Sequence, residues 1–278
     1  MDLQEDKLRV AVIDMYNGEP GQGMRCIREI LNQYGEFNKI SLEFEEFDIR
    51  KKLELPDTSF SIYISTGGPG DPLHSEGSEW DNRYFSLISE LEEINNSNFS
   101  EKKYVFFICH SFQLICRYYS IGKISLRKSP SFGVFPIHKT PAGEEEEFFK
   151  DIPNPFYAVD SRHWQVTEPD HAQLERKGAK ILALEKERPH VPLERALMAI
   201  RFSDYFFGTQ FHPEADPVGM TVYLEEEEKK KQVIKDLGEE KYQRMLRQLH
   251  DPDKIMLTQN VVLPAFLDQA TGRLKEAE

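Results

Sequence analysis

A cysteine stands where a predicted strand runs into a predicted helix, a position from which a thiol can act as a nucleophile. Cys109 follows the apolar run 104–108 (YVFFI) and precedes a helical run. Such a junction places a side chain on a tight turn above the sheet, and the positive end of the helix favours a thiolate. The backbone N–H of His110 would then face an oxyanion. Alone, the pattern also fits an ordinary buried cysteine, because free cysteine is among the most buried residue types.

A histidine and a carboxylate stand close together after another predicted strand, in the segment 208–214 (GTQFHPE). His212 follows the strand, and Glu214 lies two residues further on. A nucleophilic thiol needs a base, and the base needs an acceptor that orients it. Pro213 stiffens the link, so the two side chains can converge. Alone, the pair also fits a surface histidine beside an unrelated carboxylate.

A glycine-rich loop follows a third predicted strand, at 65–72 (STGGPGDP). Its glycines would let backbone amides approach a ligand closely. The loop lacks the Gly-Lys-Ser/Thr ending of a phosphate-binding P-loop. By itself it also fits a plain turn.

Taken in this order and spacing, the three segments resemble the class I, or triad, glutamine amidotransferase family. The loop matches the family form Ser-x-Gly-Pro-Gly-Asp-Pro, the segment 107–113 (FICHSFQ) is similar to the elbow Gly-x-Cys-x-Gly-x-Gln, and His-Pro-Glu is present at 212–214. The resemblance covers about residues 8–217. The glycine loop and the His-Pro-Glu segment look most like those of the glutaminase domains of GMP synthetase and carbamoyl-phosphate synthetase.

The resemblance implies a role for each matching residue. Cys109 would attack the side-chain amide of glutamine to give a γ-glutamyl thioester, His212 would protonate the departing ammonia, and Glu214 would orient His212. The backbone amides of Gly68 and His110 would hold the oxyanion. The residues that would bind glutamine are Gly70, Gln113, His163 and Trp164. No cofactor is implied.

Three residues near these motifs raise separate expectations. Phe107 and Ser111 replace the two elbow glycines of the family. Ser111 is small enough to be harmless, whereas Phe107 shares a strand face with Cys109 by period two and is expected to narrow the pocket floor. Arg162 is expected either to attract a carboxylate or to be a surface arginine. The run Ile108-Cys109-His110 also resembles the elbow of intracellular-protease and chaperone-like relatives, but the His-Pro-Glu segment argues against that branch.

The predicted elements form an α/β fold. The first 120 residues read strand–helix–strand–strand–helix–strand–helix, which predicts an open, mostly parallel, flavodoxin-like sheet flanked by helices, with ligands at the carboxyl ends of its strands. The second half is strand-rich and antiparallel, with hardly any helix between its strands. Those strands are predicted at 133–138, 156–159, 179–184, 196–202 and 205–211. We expect one amidotransferase-like domain over 1–278, with a charged helical insertion at about 220–252 and a closing helix at about 254–269.

Composition excludes several classes of protein. The 278 residues carry 35 Lys and Arg against 48 Asp and Glu, a net charge of −13, which argues against a general nucleic-acid binder. No apolar run approaches the length of a spanning helix, and the first ten residues are too charged for a signal peptide. The three cysteines form neither a disulfide framework nor a zinc site. We therefore expect a cytoplasmic protein without a metal, a membrane partner or a nucleic-acid partner.

Three functions stay open at this point. The first is a glutaminase that releases ammonia for a synthase on another chain, with glutamine as its substrate. The second is a stand-alone hydrolase of a γ-glutamyl peptide or amine conjugate, suggested by Phe107 and by the lack of a synthase domain. The third is a catalytically inert amidotransferase fold that serves as a regulatory subunit. The segment 220–250 would be a lid, a docking helix or a solvated spacer.

Overall fold

The computed structural model describes residues 7–98, 101–190 and 192–273, without the side chains of residues 229, 232, 236 and 237. Its strands are β1 (Leu8–Asp14), β2 (Leu42–Asp48), β3 (Ile62–Ser65), β4 (Tyr104–Ile108), β5 (Lys123–Lys139), β6 (Phe156–Thr167), β7 (Lys180–Glu185), β8 (Leu197–Arg201) and β9 (Phe206–Thr209). Its α-helices are α1 (Gln22–Asn38), α2 (Ile49–Lys52), α3 (Glu79–Asn96), α4 (His110–Tyr118), α5 (Pro141–Glu144), α6 (His171–Lys177), α7 (Pro217–Glu225), α8 (Glu227–Leu237), α9 (Glu239–Leu249) and α10 (Leu257–Ala270). A 3₁₀ turn spans Glu147–Phe149, and a π-helical turn spans Pro252–Met256.

All these strands form one mixed sheet in the order β2-β1-β3-β4-β9-β8-β7-β5-β6. The pairs from β2 to β9 are parallel, and the pairs from β9 to β6 are antiparallel. The predicted α/β class, with a parallel first half and an antiparallel second half, is confirmed. Strands β1, β3, β4 and β9 therefore end at one edge of the sheet, which brings the three predicted motifs together.

Each face of the sheet is covered by a separate apolar core. Alternate residues of β4 point to opposite faces, as the period of a strand requires. Phe106 packs edge-on against Phe266 of α10, in the core that also contains the buried face of α1. Val105 and Phe107 belong to the opposite core, with residues of α3 and α4. Among the described residues, no helix is long and apolar enough to span a membrane.

The expectation for Phe107 was wrong. Its ring is fully buried and packs edge-on against Phe202 and Phe206, in the core beneath the sheet. The backbone leaves the strand conformation at Cys109, so the alternation of side chains between the two faces of the strand ends before this residue. Phe107 and the thiol therefore do not share a face. Gly208 lies beside Phe107 on β9, and a Cβ built there would meet Phe112, Phe202 and Phe107 at 3.0–3.3 Å. The neighbouring glycine thus makes room for the aromatic cluster, and the pocket floor is not narrowed by Phe107.

The second half differs from the prediction in detail. Two short helices, α5 and α6, and the 3₁₀ turn lie between its strands, where hardly any helix was expected. Strand β6 continues to Thr167, beyond the strand predicted at 156–159. It stays extended because β5 is 17 residues long and pairs with it on both sides of an irregularity in register.

The charged segment near 220–252 consists of helices α7, α8 and α9. They pack on the β5–β6 hairpin through a third apolar cluster, in which Tyr242, Met245 and Leu249 of α9 are buried. Met245 sits against Gly133, whose φ of +132° lets the strand accommodate it. Arg25 of α1 forms an ion pair with Asp216 at 2.7 Å, just before α7. That this segment is an insertion in a single domain stays a prediction.

Candidate active site

Cys109 occupies a sharp turn between β4 and α4. Its φ of 48° and ψ of −95° are unusual for a residue with a side chain, and such conformations cost about 1–3 kcal/mol. The backbone N–H of Cys109 donates to the carbonyl oxygen of Thr209 at 2.7 Å, which fixes the turn to the end of β9. The thiol is 4% exposed and lies 3.7 Å from the carbonyl oxygen of Ser161 on β6.

His212 and Glu214 converge as their spacing suggested. The Nδ1 atom of His212 lies 2.8 Å from Oε1 of Glu214, and the imidazole lies beside Cys109, since a Cβ built on Gly67 would contact both side chains. The backbone N–H of His212 donates to Val159 at 2.8 Å, so β6 fixes the position of the ring. Burial alone would lower the pKa of His212. The negative charges of Glu214 and Cys109, together with their hydrogen bonds, outweigh burial and raise that pKa well above its ordinary value.

The glycine loop lies against both of these side chains. A Cβ built on Gly67 would lie 2.8 Å from Cε1 of His212 and 3.4 Å from Cβ of Cys109. A Cβ on Gly68 would collide with the carbonyl oxygen of Met15. Only glycine fits at these two positions, so backbone amides come close to the thiol.

Two arginines hold the loop from outside. Arg50 donates to the carbonyl oxygens of Met15 and Pro69, and it lies close to Gly70, whose φ is +114°. Arg117 of α4 donates to the carbonyl of Pro72 and pairs with the buried carboxylate of Asp81. These two side chains hold residues 69–72, whereas the start of the loop is bonded to β1 through the backbone N–H of Thr66, which donates to the carbonyl oxygen of Ile13 at 3.0 Å.

Ser111 is small and also takes part in a buried hydrogen-bond network. Its hydroxyl donates to the carbonyl oxygen of Thr66 at 2.6 Å and bonds with the hydroxyl of Ser65 at 2.8 Å. Ser65 in turn bonds with the hydroxyl of Tyr84 at 2.9 Å. This buried network joins the start of α4 to the end of β3, where the glycine loop begins.

Gln113 is buried one turn into α4 and is already engaged within the protein. Its amide nitrogen donates to the carbonyl oxygen of Trp164 at 3.2 Å and to Oε1 of Gln210 at 3.1 Å. Gln210 is fully buried and lies with its own amide nitrogen 3.6 Å from Sγ of Cys109. Gln210 falls within the predicted strand 205–211 and was given no role, because no local spacing shows that its side chain touches the thiol.

The other predicted binding residues lie on β6. Trp164 contributes its carbonyl to Gln113, and its side chain is half-buried, whereas the side chain of His163 is exposed. Arg162 is not a surface arginine, and the carboxylate that it attracts belongs to the protein itself. Its side chain is buried and pairs with Asp160 on the same strand at 2.8 Å, because the extended backbone puts alternate residues on one face.

The imidazole of His110 is buried behind the thiol. Burial, and then the positive charges of Arg50 and Arg117, lower its pKa to about 3. The ring is therefore neutral at physiological pH, and its Nε2 atom has no hydrogen-bond partner among the described residues. This side chain is positioned separately from the His212–Glu214 pair.

Tyr16 is a second residue that sequence reasoning missed. It follows β1 at the same edge of the sheet, and a Cβ on Gly23 would collide with its hydroxyl and lie 3.3 Å from Oε1 of Glu214. Burial, followed by the charges of Glu214 and Cys109, raises the pKa of Tyr16 well above its ordinary value. A neutral phenol thus lies beside the carboxylate. In the sequence, the only indication of a role for Tyr16 was its position after a predicted strand and before the glycines between residues 18 and 23.

No group of three or more His, Cys, Asp or Glu side chains in the described ranges is arranged to hold a metal ion. The geometry instead brings together a thiol, an imidazole and a carboxylate, next to the backbone of a glycine loop. The fold and this arrangement define a class of α/β proteins that carry a cysteine on a strand-to-helix turn beside a histidine–carboxylate pair.

Within that class, the chain belongs to the glutamine amidotransferase class-I family, whose model matches residues 25–229. The family and the site are consistent with hydrolysis of the glutamine side-chain amide. No curated protein sequence matches the chain significantly.

Solved structures show the same fold at low sequence identity. A glutamine amidotransferase from Thermotoga maritima superposes with a TM-score of 0.68 at 17% identity, covering 97% of this chain and 99% of the other. A glutamine amido transferase from Methylobacillus flagellatus gives 0.65 at 13% identity, covering 98% of each chain. The glutaminase domain of CTPS from Trypanosoma brucei, solved with bound acivicin, gives 0.60 at 12% identity, covering 98% of this chain and 96% of the other.

Proposed function

We propose that the protein hydrolyses L-glutamine to glutamate and ammonia through the triad Cys109, His212 and Glu214. The observation that carries this proposal is that the thiol on its strained turn lies beside His212, which is bonded to Glu214 at 2.8 Å. A thiol with a base, and a base with an orienting acceptor, is the arrangement that nucleophilic catalysis requires.

The chemistry proceeds in two halves. His212 accepts the thiol proton of Cys109, Sγ attacks the amide carbon, and the C–N bond breaks as His212 gives that proton to the departing ammonia. Water then attacks the thioester while His212 accepts one of its protons, and the C–S bond breaks as that proton returns to Sγ, which releases glutamate and the thiol. The backbone amides of Gly68 and His110 stabilise the oxyanion in both halves.

Glutamine is bound between the glycine loop and β6 in this proposal. Gly70 and the backbone around it face the substrate on one side, and His163 and Trp164 do so on the other. Both amide-nitrogen contacts of Gln113 are taken by Trp164 and Gln210, so its amide oxygen is the atom offered to the substrate. An amide oxygen is suited to accept a bond from the α-amino group.

The ammonia serves a synthase on another chain in this proposal. The support is the presence of a CTPS glutaminase domain among the structures with this fold. That likeness does not name the acceptor of the ammonia.

An assay of L-glutamine with the full-length protein tests the proposed reaction. Ammonia and glutamate are expected in equal amounts, and acivicin, a glutamine-like electrophile, is expected to label Cys109 one to one. γ-Glutamyl peptides and amines are assayed in parallel. Turnover of these conjugates without turnover of glutamine would assign the site to a γ-glutamyl hydrolase. An inert thiol, with neither turnover nor labelling, would contradict the triad.

Gln210 is proposed to hold the thiolate of Cys109 in place, since its amide nitrogen lies 3.6 Å from Sγ. Gln210→Leu removes that donor and also the acceptor for Gln113. We expect glutamine turnover to fall about 10- to 100-fold, because an unmade bond to a buried charge costs roughly 1–3 kcal/mol. Alkylation of Cys109 by iodoacetamide is expected to shift to higher pH.

Thr209→Val is the matched control, because Thr209 is buried next to Gln210 and its hydroxyl donates to the backbone of Phe211 and not to Cys109. It is expected to keep the alkylation profile of the wild type. An unchanged alkylation profile in Gln210→Leu, with lower turnover, would show that Gln210 has only a structural role.

A further inference from the structure

An irregularity in the β5–β6 hairpin opens two adjoining cavities away from the thiol. Leu126 pairs with Trp164 and Ser131 pairs with Arg162, so the residues 127–130 of β5 stand opposite a single residue of β6. Extra residues of this kind do not take part in the hydrogen bonds between the two strands, and they change the direction in which the neighbouring side chains point. The cavities have volumes of about 180 Å³ and about 370 Å³, and Arg127, Ser129 and Arg188 line both.

The smaller cavity has a surplus of positive charge. The charged residues that line it are Arg127, Asp160, Glu185, Lys186, Arg188 and Lys241. Asp160 is already bound by the buried guanidinium of Arg162, which also lies 3.9 Å from Glu185. Glu185 accepts from Arg127 at 3.0 Å and from Arg188 at 3.1 Å. Both carboxylates are thus shared among arginines.

Lys186 and Lys241 add further positive charge to the smaller cavity. No carboxylate of the described ranges forms an ion pair with Lys186 or Lys241. Lys241 is half-buried in the first turn of α9. Burial, and then the charges of Lys186 and Arg244, lower its pKa. Cations held close together repel one another, and a bound anion would relieve that repulsion. The whole chain has a net charge of −13, so this cluster of cations is a local exception to its negative charge.

The larger cavity has mixed charge, because the carboxylates of Glu168 and Glu194 line it as well as cations. Leu126 and Leu193 also line it and are 62% and 46% exposed, so two large apolar side chains face open space there. Apolar surface of this kind binds an uncharged ring or chain, whereas several cations around one small space suit a group with more than one negative charge. The combined volume is that of a small molecule.

We propose that the two cavities bind a phosphorylated small molecule, with its phosphate among Arg127, Arg188, Lys186 and Lys241 and its uncharged body against Leu126 and Leu193. The site is lined neither by Cys109 nor by His212, and the proposal does not depend on the reaction of glutamine. A phosphate fits better than a single carboxylate because it offers two charges and three oxygens to the arginine forks and the lysines.

Isothermal titration of the full-length protein with AMP, ribose 5-phosphate, pyrophosphate and adenosine tests the site. AMP is expected to bind at least about tenfold more tightly than adenosine, with an affinity that falls as salt rises. The double variant Lys186→Met, Lys241→Met is expected to weaken binding of every phosphate compound by about tenfold or more. Leu126→Ser with Leu193→Ser is expected to weaken AMP while leaving pyrophosphate unchanged.

The pair Lys150→Met with Lys231→Met, whose side chains are 57% and 77% exposed, makes the same change in net charge and serves as the control. Melting temperatures of all variants verify folding. The site is disproved if no phosphate compound binds with a Kd below about 1 mM. It is equally disproved if the variant at 186 and 241 binds pyrophosphate as tightly as the control.

Discussion

Replacement of Cys109 by alanine is expected to abolish ammonia release from L-glutamine, with a loss of at least about 10³-fold. Alanine has no nucleophile, and neither His212 nor the glycine loop can form the thioester without one. Covalent labelling by acivicin is expected to disappear as well. Ammonia release and mass spectrometry of the labelled protein measure the two effects.

The fold is expected to survive this replacement. The positive φ at residue 109 remains, the side chain becomes smaller, and the backbone bond to Thr209 is kept. Cys109→Ser tests whether a hydroxyl suffices, and we expect it to be nearly as inactive. Cys26→Ala removes another buried thiol, on α1, and is expected to keep both turnover and labelling. Full activity in Cys109→Ala would refute the proposed mechanism.

Glu214→Gln is expected to lower turnover by about 10²- to 10⁴-fold while keeping the shape of the side chain. Glutamine can present an N–H to Nδ1 of His212 where the carboxylate now accepts at 2.8 Å, so the imidazole adopts the wrong tautomer or turns away. Steady-state kinetics with L-glutamine separate this loss from a loss of binding. A fall in kcat with little change in KM is expected, because Glu214 is proposed to act on His212 and not on the substrate.

The same substitution has a pH signature. Glu214 is the leading cause that raises the pKa of His212, so Glu214→Gln is expected to lower it. A raised folded-state pKa stabilises the protein below the unfolded value of about 6.5, and this stabilisation is lost as pH rises through the folded-state pKa. The stability difference between the two proteins is therefore expected to be largest at low pH and to shrink at alkaline pH.

Chemical denaturation at several pH values, in a Cys109→Ala background, measures this difference without the charge of the thiol. Glu45→Gln is the control, because Glu45 is exposed on β2 and pairs with Arg9 at the surface. It is expected to change neither turnover nor the pH dependence. A pH-independent difference for Glu214→Gln would show that the carboxylate does not set the pKa of His212.

Much of the parallel half was predictable because its strands are short, apolar and followed by motifs. The runs ending at Asp14, Ser65 and Ile108 all became strands, and parallel strands must deliver their following residues to one edge. The class of the fold and the meeting of the three motifs follow from that rule. His212 and Glu214 converge for a reason already visible in sequence, the proline between them.

The contacts made by single side chains were not predictable in the same way. Phe107 was assigned to the pocket by alternation, but the turn at Cys109 breaks the alternation. Arg162 was expected either to attract a carboxylate or to lie at the surface, and only the structure shows that it is buried against Asp160, two residues away on one strand face. Gln210 and Tyr16 reach the site through packing between distant strands, which no local spacing encodes. The surplus of cations beside β5 arises from an irregularity of pairing that the sequence does not reveal.

The two sides of the site differ in how they are anchored, and this sets how each can move. Cys109 is held to Thr209, and His212 to Val159, by backbone bonds of the sheet. The start of the glycine loop is likewise held by a backbone bond, from Thr66 to Ile13, but residues 69–72 are held by the side chains of Arg50 and Arg117. Sheet bonds in a core open only on slow timescales, whereas loops open readily. We therefore expect Cys109 and His212 to keep their distance through thermal motion, and in the proposed reaction the admission of substrate falls to residues 69–72.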